Sequence, residues 1–579
     1  MSTVPDSLRI LSSLRKLDEP GFARLIQDRK VNSRAVEDLL DLAEWLEAPA
    51  NIASALGRLD WPTLRGLRLG NEDALDRAAE LELAVGEDDA LELLPEVVRQ
   101  LATLVPTVTK YRELDRSQPE SAGTASAHEV TQLANDALWL IAVEPRIVRR
   151  TRDQARMSGV EVRRLATQLG ADSTVVGSMY RWLHAADLIT PVGAAWHLTE
   201  DGDAFSSLPV TDRWRRLIDA WLAELTLESL QTLTDSLDLV GSADRSTFID
   251  DGEDTSALTL LGNAAAQVDS AAALGLVDRG EFTLLGALVL DDDRAEAADL
   301  LAQHLPEEVT QVYVQPDQTI LSPGPLSGAL DQKLRQVADL ERRALASEYR
   351  VTPASLSRAL NGGMTEESIR ALLAEISLTG IPQPVDYLIT STAASHGKVR
   401  VQAYDRAASS STRIRVEDAQ LRDALEVDTA IGTLALRREG EDLVSRVAPA
   451  VVLAALLDAR YPAVLEGASG ALVSQRSRTI ATPQRPQPGP TAAKTAAELA
   501  VQAASSDQHD DRGTWIQRRL EIARRNRAEV HVAIDVPGKD SVTLALVPLS
   551  VGPQRLRALD LDADVERTLP MRSILSIDD

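Results

Sequence analysis

The side chains through which this chain could do chemistry are arginines. Seven fall in one short stretch, Arg146, Arg149, Arg150, Arg152, Arg156, Arg163 and Arg164, just ahead of a run whose polar positions are Ser173, Thr174, Ser178, Tyr180 and Arg181. Such a cluster can neutralise several backbone phosphates while a following helix enters a major groove. Only Arg181 is basic on that helix, which is poor for reading base edges. The same surface therefore reads more readily as a protein docking face than as a DNA reader. A second cluster, Arg518, Arg519, Arg524, Arg525 and Arg527, follows Trp515. It reads as a contact for nucleic acid or an acidic surface, or as a solvated helix face. Lys398 and Arg400 alternate with valines in a third, smaller candidate contact.

Enzyme chemistry finds no foothold. A phosphate-cradling P-loop needs Gly-Lys followed by Ser or Thr. Gly397-Lys398 is followed by Val399, and Gly538-Lys539 by Asp540. The acidic run Asp291-Asp292-Asp293 has no such loop to work with. His128, His184, His197, His304, His396, His509 and His531 make no H-x-x-x-H pair, so no zinc pattern emerges. No G-x-S-x-G elbow occurs. The expectation is a protein that is not an enzyme and needs no metal or other cofactor. A nuclease or ATPase with unfamiliar motifs is the competing enzyme reading.

Composition bounds the rest. A chain of 579 residues should split into several domains, since single cores stop growing near ~250–300 residues. Aromatics are 3% of the chain, so the cores must rest on Leu, Ala and Val. With no cysteine, disulfides and thiolate zinc sites are excluded. The formal charge of −27 repels phosphate backbones overall, so any DNA contact must use local basic patches. No apolar run approaches the ~20 residues of a membrane span, and Met1–Asp6 lacks the pattern of a signal peptide. The expected location is cytoplasmic, with nucleoid association possible through the basic patches.

The elements that must position the arginines can be read from periodicity and caps. Residues 1–115 carry short leucine-striped helices of helix-turn-helix kind, with Ser33 a plausible N-cap before a helix to Leu46. Residues 128–208 hold a helix ending at Gly170, a second helix capped by Asp172-Ser173 with Val175, Val176, Met179, Trp182 and Leu183 on its apolar face, and two alternating runs around Ile189 and Trp196. Helix, turn, helix and two-stranded wing resemble a winged helix. Trp182 and Trp196 read as core. A similar ending, Ala273 to Gly286 with Phe282-Thr283, suggests a second winged-helix-like unit over 210–300.

Residues 305–467 give the most ordered set of signals. Val312-Tyr313-Val314 and Tyr349-Arg350-Val351 read as strands. Thr352 should cap a helix opened by Pro353, and Thr365 a helix striped by Ile369, Leu372, Leu373 and Ile376. Pro384 opens a third helix that Gly397 ends. Strands are expected over 398–401, 413–416 and 432–437, and a Pro-started helix at Pro449. This order resembles the N-terminal accessory domain of XPB-type DNA helicases and the matching domain of actinobacterial helicase-associated proteins. The motor of such helicases has no counterpart in these residues.

Residues 468–495 have the composition of a disordered linker. Residues 496–579 read as a separately folding helix plus strands, similar to the small β-barrel-like WYL domain, a Sm-like barrel. The Val547-Pro548-Leu549 run and the terminal Arg572-Ser573-Ile574-Leu575 run carry that likeness; the Trp-Tyr-Leu tripeptide is absent.

The expected architecture is α+β, multi-domain and mainly helical. Tandem winged-helix-like modules precede an XPB N-terminal-like α/β domain and a small C-terminal β-barrel-like domain. The resemblance implies a non-catalytic accessory protein that docks an XPB-like DNA helicase, DNA, or both, in repair or transcription. The alternative is a winged-helix DNA-binding transcriptional regulator. The residues placed at nucleic-acid or partner contacts are Arg149, Arg150, Arg163, Arg164, Ser173, Thr174, Ser178, Arg181, Lys398, Arg400, Arg518, Arg519, Arg524 and Arg525.

Overall fold

The computed structural model describes residues 5–86, 91–104, 119–143, 157–241, 265–343, 346–404, 411–467, 470, 472–473, 480–483, 490–505, 511–535 and 542–578. The chain divides into two compact units, one of residues 1–113, 222–235 and 485–579, the other of 114–221 and 236–484. Among the described residues no helix is long and apolar enough to cross a membrane.

The N-terminal residues form α1 (Asp6–Leu14), α2 (Glu19–Arg29), α3 (Leu39–Glu47), α4 (Pro49–Leu56), α5 (Trp61–Leu69) and α6 (Glu72–Glu80). A short pair β1 (Ala84–Val85) and β2 (Glu92–Leu93) leads to α7 (Pro95–Leu104). The helix expected to start at Ser33 begins only at Leu39, because Asp38 and Asp41 make a capping box there. That box satisfies two otherwise unpaired amide donors at once, and Ser33 has nothing comparable to offer.

The second unit opens with α8 (Thr124–Val143), α9 (Gly159–Leu169) and α10 (Ser173–Ala185), then the hairpin β3 (Ile189–Val192) and β4 (Ala195–Leu198) and α11 (Glu200–Phe205). Next in sequence come α12 (Val210–Glu224) and α13 (Leu227–Gly241), of which residues 222–235 belong to the first unit, and then α14 (265–273) of the second. A shorter hairpin of β5 (Val277–Asp278) and β6 (Glu281–Phe282) leads to α15 (Leu284–Leu290) and α16 (Arg294–His304). The recurrence expected between the two hairpins is visible atom by atom. Thr199 caps α11 through Gly202 N–H and bonds Asp187 C=O; Thr283 caps α15 through Gly286 N–H and bonds Gly275 C=O. A Cβ on Gly202 would sit 2.0 Å from Leu188 O, and one on Gly286 2.2 Å from Leu276 O. Only glycine lets the helix start approach the preceding strand so closely, which explains the shared T-x-x-G.

The same unit continues with β7 (Tyr313–Val314), β8 (Thr319–Leu321), α17 (Gly328–Val337), β9 (Asp339–Arg342) and β10 (Glu348–Arg350), a four-stranded sheet in the order β7-β8-β10-β9. Helices α18 (Pro353–Asn361), α19 (Glu366–Ile376) and α20 (Gln383–Ser395) close one core around Leu334, Tyr349, Leu356, Leu373 and Ile389. Thr352 and Thr365 cap α18 and α19 as expected. A second core follows, built on β11 (Val399–Ala403), β12 (Thr412–Val416), α21 (Ala419–Val427), β13 (Arg437–Glu439), β14 (Asp442–Ser445), α22 (Pro449–Asp458) and β15 (Ala463–Glu466). Its five strands run β13-β14-β12-β11-β15, with β11 and β15 parallel and the other pairs antiparallel. The strand expected over 432–437 is instead a 3₁₀ turn over Thr429–Leu434, and β13 starts only at Arg437. Asp428 accepts from Ala430 N–H and favours that turn.

Part of the stretch read as linker has ordered partners. Leu472 bridges Glu466, Ile480 bridges Leu198, and a helix begins inside the stretch at Pro490. Composition detects missing apolar periodicity but not main-chain pairing. The remaining residues form α23 (Pro490–Ser505), α24 (Asp511–Asn526), β16 (Val530–Ile534), β17 (Val542–Val551), β18 (Arg555–Asp560), β19 (Val565–Pro570) and β20 (Ile574–Asp578). They cluster with the N-terminal helices: α23 packs on α2 and α3, and α24 on α1. The barrel-like closure expected here is not formed. The strands make an open antiparallel sheet, β19-β18-β17-β16-β20, with β19 and β20 as its two edges. The reason lies in burial. Helix α24 packs against β17 and β20, while Val565–Thr568 of β19 are exposed, so that edge has no apolar face to bury by curling round.

Candidate functional site

The structure sorts the candidate residues into three places. The first is α9–α10. Ser158 caps α9, and Gly170 ends it in a left-handed conformation at φ 64°. Asp172 caps α10, and its bonds from Thr174 and neighbouring amides hold its carboxyl below the usual range. Ser173, Thr174, Ser178 and Arg181 come together around one cavity of about 250 Å³, with Tyr180 and Trp196 also lining it. Ser178 is buried. Its hydroxyl meets Ser270 Oγ at 2.9 Å and accepts from Arg181 at 3.0 Å. Ser178 thus points inward, where base edges do not reach, and the half-buried Arg181 is engaged with it. Burial pushes the Tyr180 phenol pKa well up. Arg163 and Arg164 stay exposed on α9, Arg164 holding Glu161 at 2.5 Å. Arg149 and Arg150 lie outside the described residues, with Arg146, Arg152 and Arg156.

The second place is the open face of the β13-β14-β12-β11-β15 sheet. Strand residues alternate between faces. Val399, Val401, Ile414, Val416 and Leu443 point to the core under Val452, Leu453 and Leu456 of α22. The other face therefore carries Arg400, Gln402, Arg413, Arg415 and, on β13, Arg437, interleaved with Glu439, Asp442 and the buried Val444 and Glu466. Arg400 and Arg415 are directly opposite, a repulsive pairing on its own. The buried Glu466 carboxylate resolves it, 3.9 Å from Arg400 and 3.4 Å from Arg415. Arg413 lies 4.1 Å over the Tyr404 ring and 3.3 Å from Asp442. Arg437 and Lys398 are exposed and have no ion-pair partner among the described residues. The arrangement is a rigid, arginine-bearing sheet face with two free cations at its margins, suited to an acidic protein surface or a phosphate backbone.

The third place is α24, and here the arginines are engaged within their own unit. Arg518 reaches Asp41, with Asp38 at 3.5 Å and Glu44 at 3.6 Å. Arg519 lies 5.6 Å over the Trp515 ring, whose indole N–H donates to Ser7 at 3.0 Å. Arg524 holds Glu521 at 2.5 Å, and Arg525 is exposed.

One constellation was not foreseen from the sequence. Arg335 of α17 bonds Asp331 through Nε at 2.9 and 2.8 Å and Asp136 of α8 at 2.5 Å. Tyr349 donates to Asp331 at 2.5 Å, Asn135 to Asp331 at 2.7 Å, and Arg343 to Asp136 at 2.6 Å. Burial alone would lower the Arg335 pKa, but the Asp331 and Asp136 carboxylates outweigh it and hold it above its usual range. Beside this cluster lies a cavity of about 900 Å³, whose walls include His128, Asp136, Trp139, Gly170, Arg335 and Arg343. The one hint in the sequence was Asp136 itself, an acid inside the apolar run Leu133–Val143. Among the described residues no group of three or more His, Asp or Glu could hold a metal ion.

No curated protein matches this chain. Residues 312–440 match the family model described as helicase conserved C-terminal domain; this segment holds the first core, part of the second and most of the arginine face.

Proposed function

We propose that this protein is a non-catalytic, helicase-associated accessory protein that docks an XPB-like DNA helicase in repair or transcription. The observation that carries this reading is the helicase-type match over residues 312–440. Function resides in sites rather than folds, and the site offered is the arginine face over β11–β14. Its cations are fixed by Glu466, Asp442 and Tyr404 rather than free to sweep. A preorganised face loses less side-chain entropy on docking. A chain of net charge −27 gains orientation from a local basic face, because such a face attracts an acidic partner. With the full chain as bait in mild salt, an XPB-like helicase should be recovered; its absence under those conditions would remove the proposal.

A second reading, a winged-helix DNA-binding regulator, is favoured by the helix–helix–hairpin order of α9, α10, β3 and β4 and by the exposed Arg163 and Arg164. It works through phosphate contacts from α9, since Ser178 is buried and Arg181 is engaged with it. At low salt a gel shift is expected to be lost in Arg163→Glu/Arg164→Glu. A shift that survives the double substitution counts against α9 as the contact.

A further inference from the structure

We propose that the cavity between α9, α10, β4 and α14 is a binding site for a small monocarboxylate with an apolar ring, of the size of benzoate. All four elements belong to the second unit. The cavity holds about 250 Å³. That exceeds the ~150 Å³ that accommodates benzene and falls just short of the ~300–1,000 Å³ of drug-sized sites. The space therefore suits one ring with a head group. Met157, Val162, Gly177 and Ala266 supply its apolar wall.

Two buried donors give the head group its chemistry. Tyr180 is 3% exposed, Trp196 is 1% exposed, and both line the cavity. The Tyr180 hydroxyl and Trp196 Nε1 have no hydrogen-bond partner among the described residues. Buried polar groups are normally paired, and leaving one unpaired is costly. An indole N–H can only donate. Burial raises the Tyr180 pKa, so the phenol keeps its proton and donates as well. Ser178 is already engaged by Ser270 and Arg181. What the pair lacks is an acceptor for two hydrogens, and a carboxylate offers two oxygens that only accept.

Charge argues the same way. In a chain of net charge −27, the described lining residues include no Asp or Glu, and Arg181 is the one charged residue among them. Glu161, whose charge acts on the Tyr180 phenol, is held by Arg164 at 2.5 Å. A carboxylate that enters draws the two donors to it and sits beside Arg181. Gly177 leaves room for the ring. A Cβ there would meet nothing nearer than Val162 Cγ1 at 3.6 Å, so crowding does not demand glycine, and glycine inside a helix is less favourable than alanine. A longer side chain at this position takes up cavity.

Titration calorimetry of the full chain with benzoate tests the site, with benzyl alcohol as the neutral probe of similar size. Benzoate is expected to bind one site with a Kd below about 1 mM, and benzyl alcohol at least tenfold more weakly. Tyr180→Phe deletes a donor to a charged acceptor, which is worth about tenfold or more in affinity, so benzoate should bind that variant at least tenfold more weakly. The same substitution removes an unpaired buried group, so the thermal midpoint without benzoate should not fall. Gly177→Leu fills the cavity and should abolish binding. No saturable heat with benzoate, equal affinity for benzyl alcohol, or unchanged benzoate affinity in either variant overturns the proposal. A lowered midpoint in Tyr180→Phe overturns it too, because the hydroxyl would then already have a partner.

Discussion

Replacing Arg335 by methionine is expected to lower the unfolding free energy of its unit by about 3–5 kcal/mol, the usual cost of leaving buried charges uncompensated. Asp331 and Asp136 are each about 5% exposed and share this guanidinium. Removing it leaves Asp331 with neutral donors only, Tyr349 and Asn135. Arg343 still reaches Asp136, so the loss should centre on Asp331. Adding Asp331→Asn to the Arg335→Met variant is therefore expected to recover part of the stability, as coupled neighbours do. Denaturant unfolding read by hydrogen exchange of α17 amides checks both. A loss below about 1 kcal/mol in the single variant, on the scale of exposed ion pairs, would mean that the cluster is hydrated and does not tie α8 to α17 as described.

Glu82 should make the stability of the N-terminal helices fall as pH rises. Burial raises its folded pKa from 4.5 to about 7, against the lowering pull of Ser13 and Arg29. Its side chain accepts from Ser13 at 2.9 Å, and its second oxygen has no partner. The folded state therefore binds a proton that the unfolded chain has already released. The stability contribution is full below the unfolded pKa and is lost as pH climbs through about 7. The expected loss between about pH 5 and pH 8 is roughly 2–3 kcal/mol. Glu82→Gln keeps the shape and removes this titration, so its profile over that window should lose most of that slope, leaving the smaller contribution of Glu47, whose carboxyl burial also raises. Amide exchange of α2, corrected for intrinsic rates, reads this locally. A variant that keeps the full slope would assign the pH dependence to another group.

The parts of this fold that were legible in the sequence are those fixed by neighbours in the chain. Thr352 with Pro353, Thr365 with its acidic first turn, and the repeated T-x-x-G at Thr199 and Thr283 each satisfy backbone donors within three residues. Local rules suffice for them. Ser178 was readable too, and polarity misdirected the reading: it lies three residues after Val175 and four before Trp182, on the apolar stripe, and the structure buries it there. The Asp136–Arg335 pair joins residues 199 apart, and the Arg518–Asp41 pair residues 477 apart. No spacing rule reaches that far. The open terminal sheet was misread as a closing barrel because strand alternation does not reveal which face a helix will cover.

The central claim is that the helicase-type segment works as a grip, and the exposed cations beside its sheet face test it most directly. Lys398→Glu/Arg437→Glu changes two side chains with no ion-pair partner among the described residues, so the thermal midpoint should not move. Titration calorimetry of an XPB-like helicase against the full chain is predicted to give at least tenfold weaker binding for the double variant, with a steeper loss in added salt for the unsubstituted protein. Equal affinity for both proteins, or no heat of binding with either, would contradict the account.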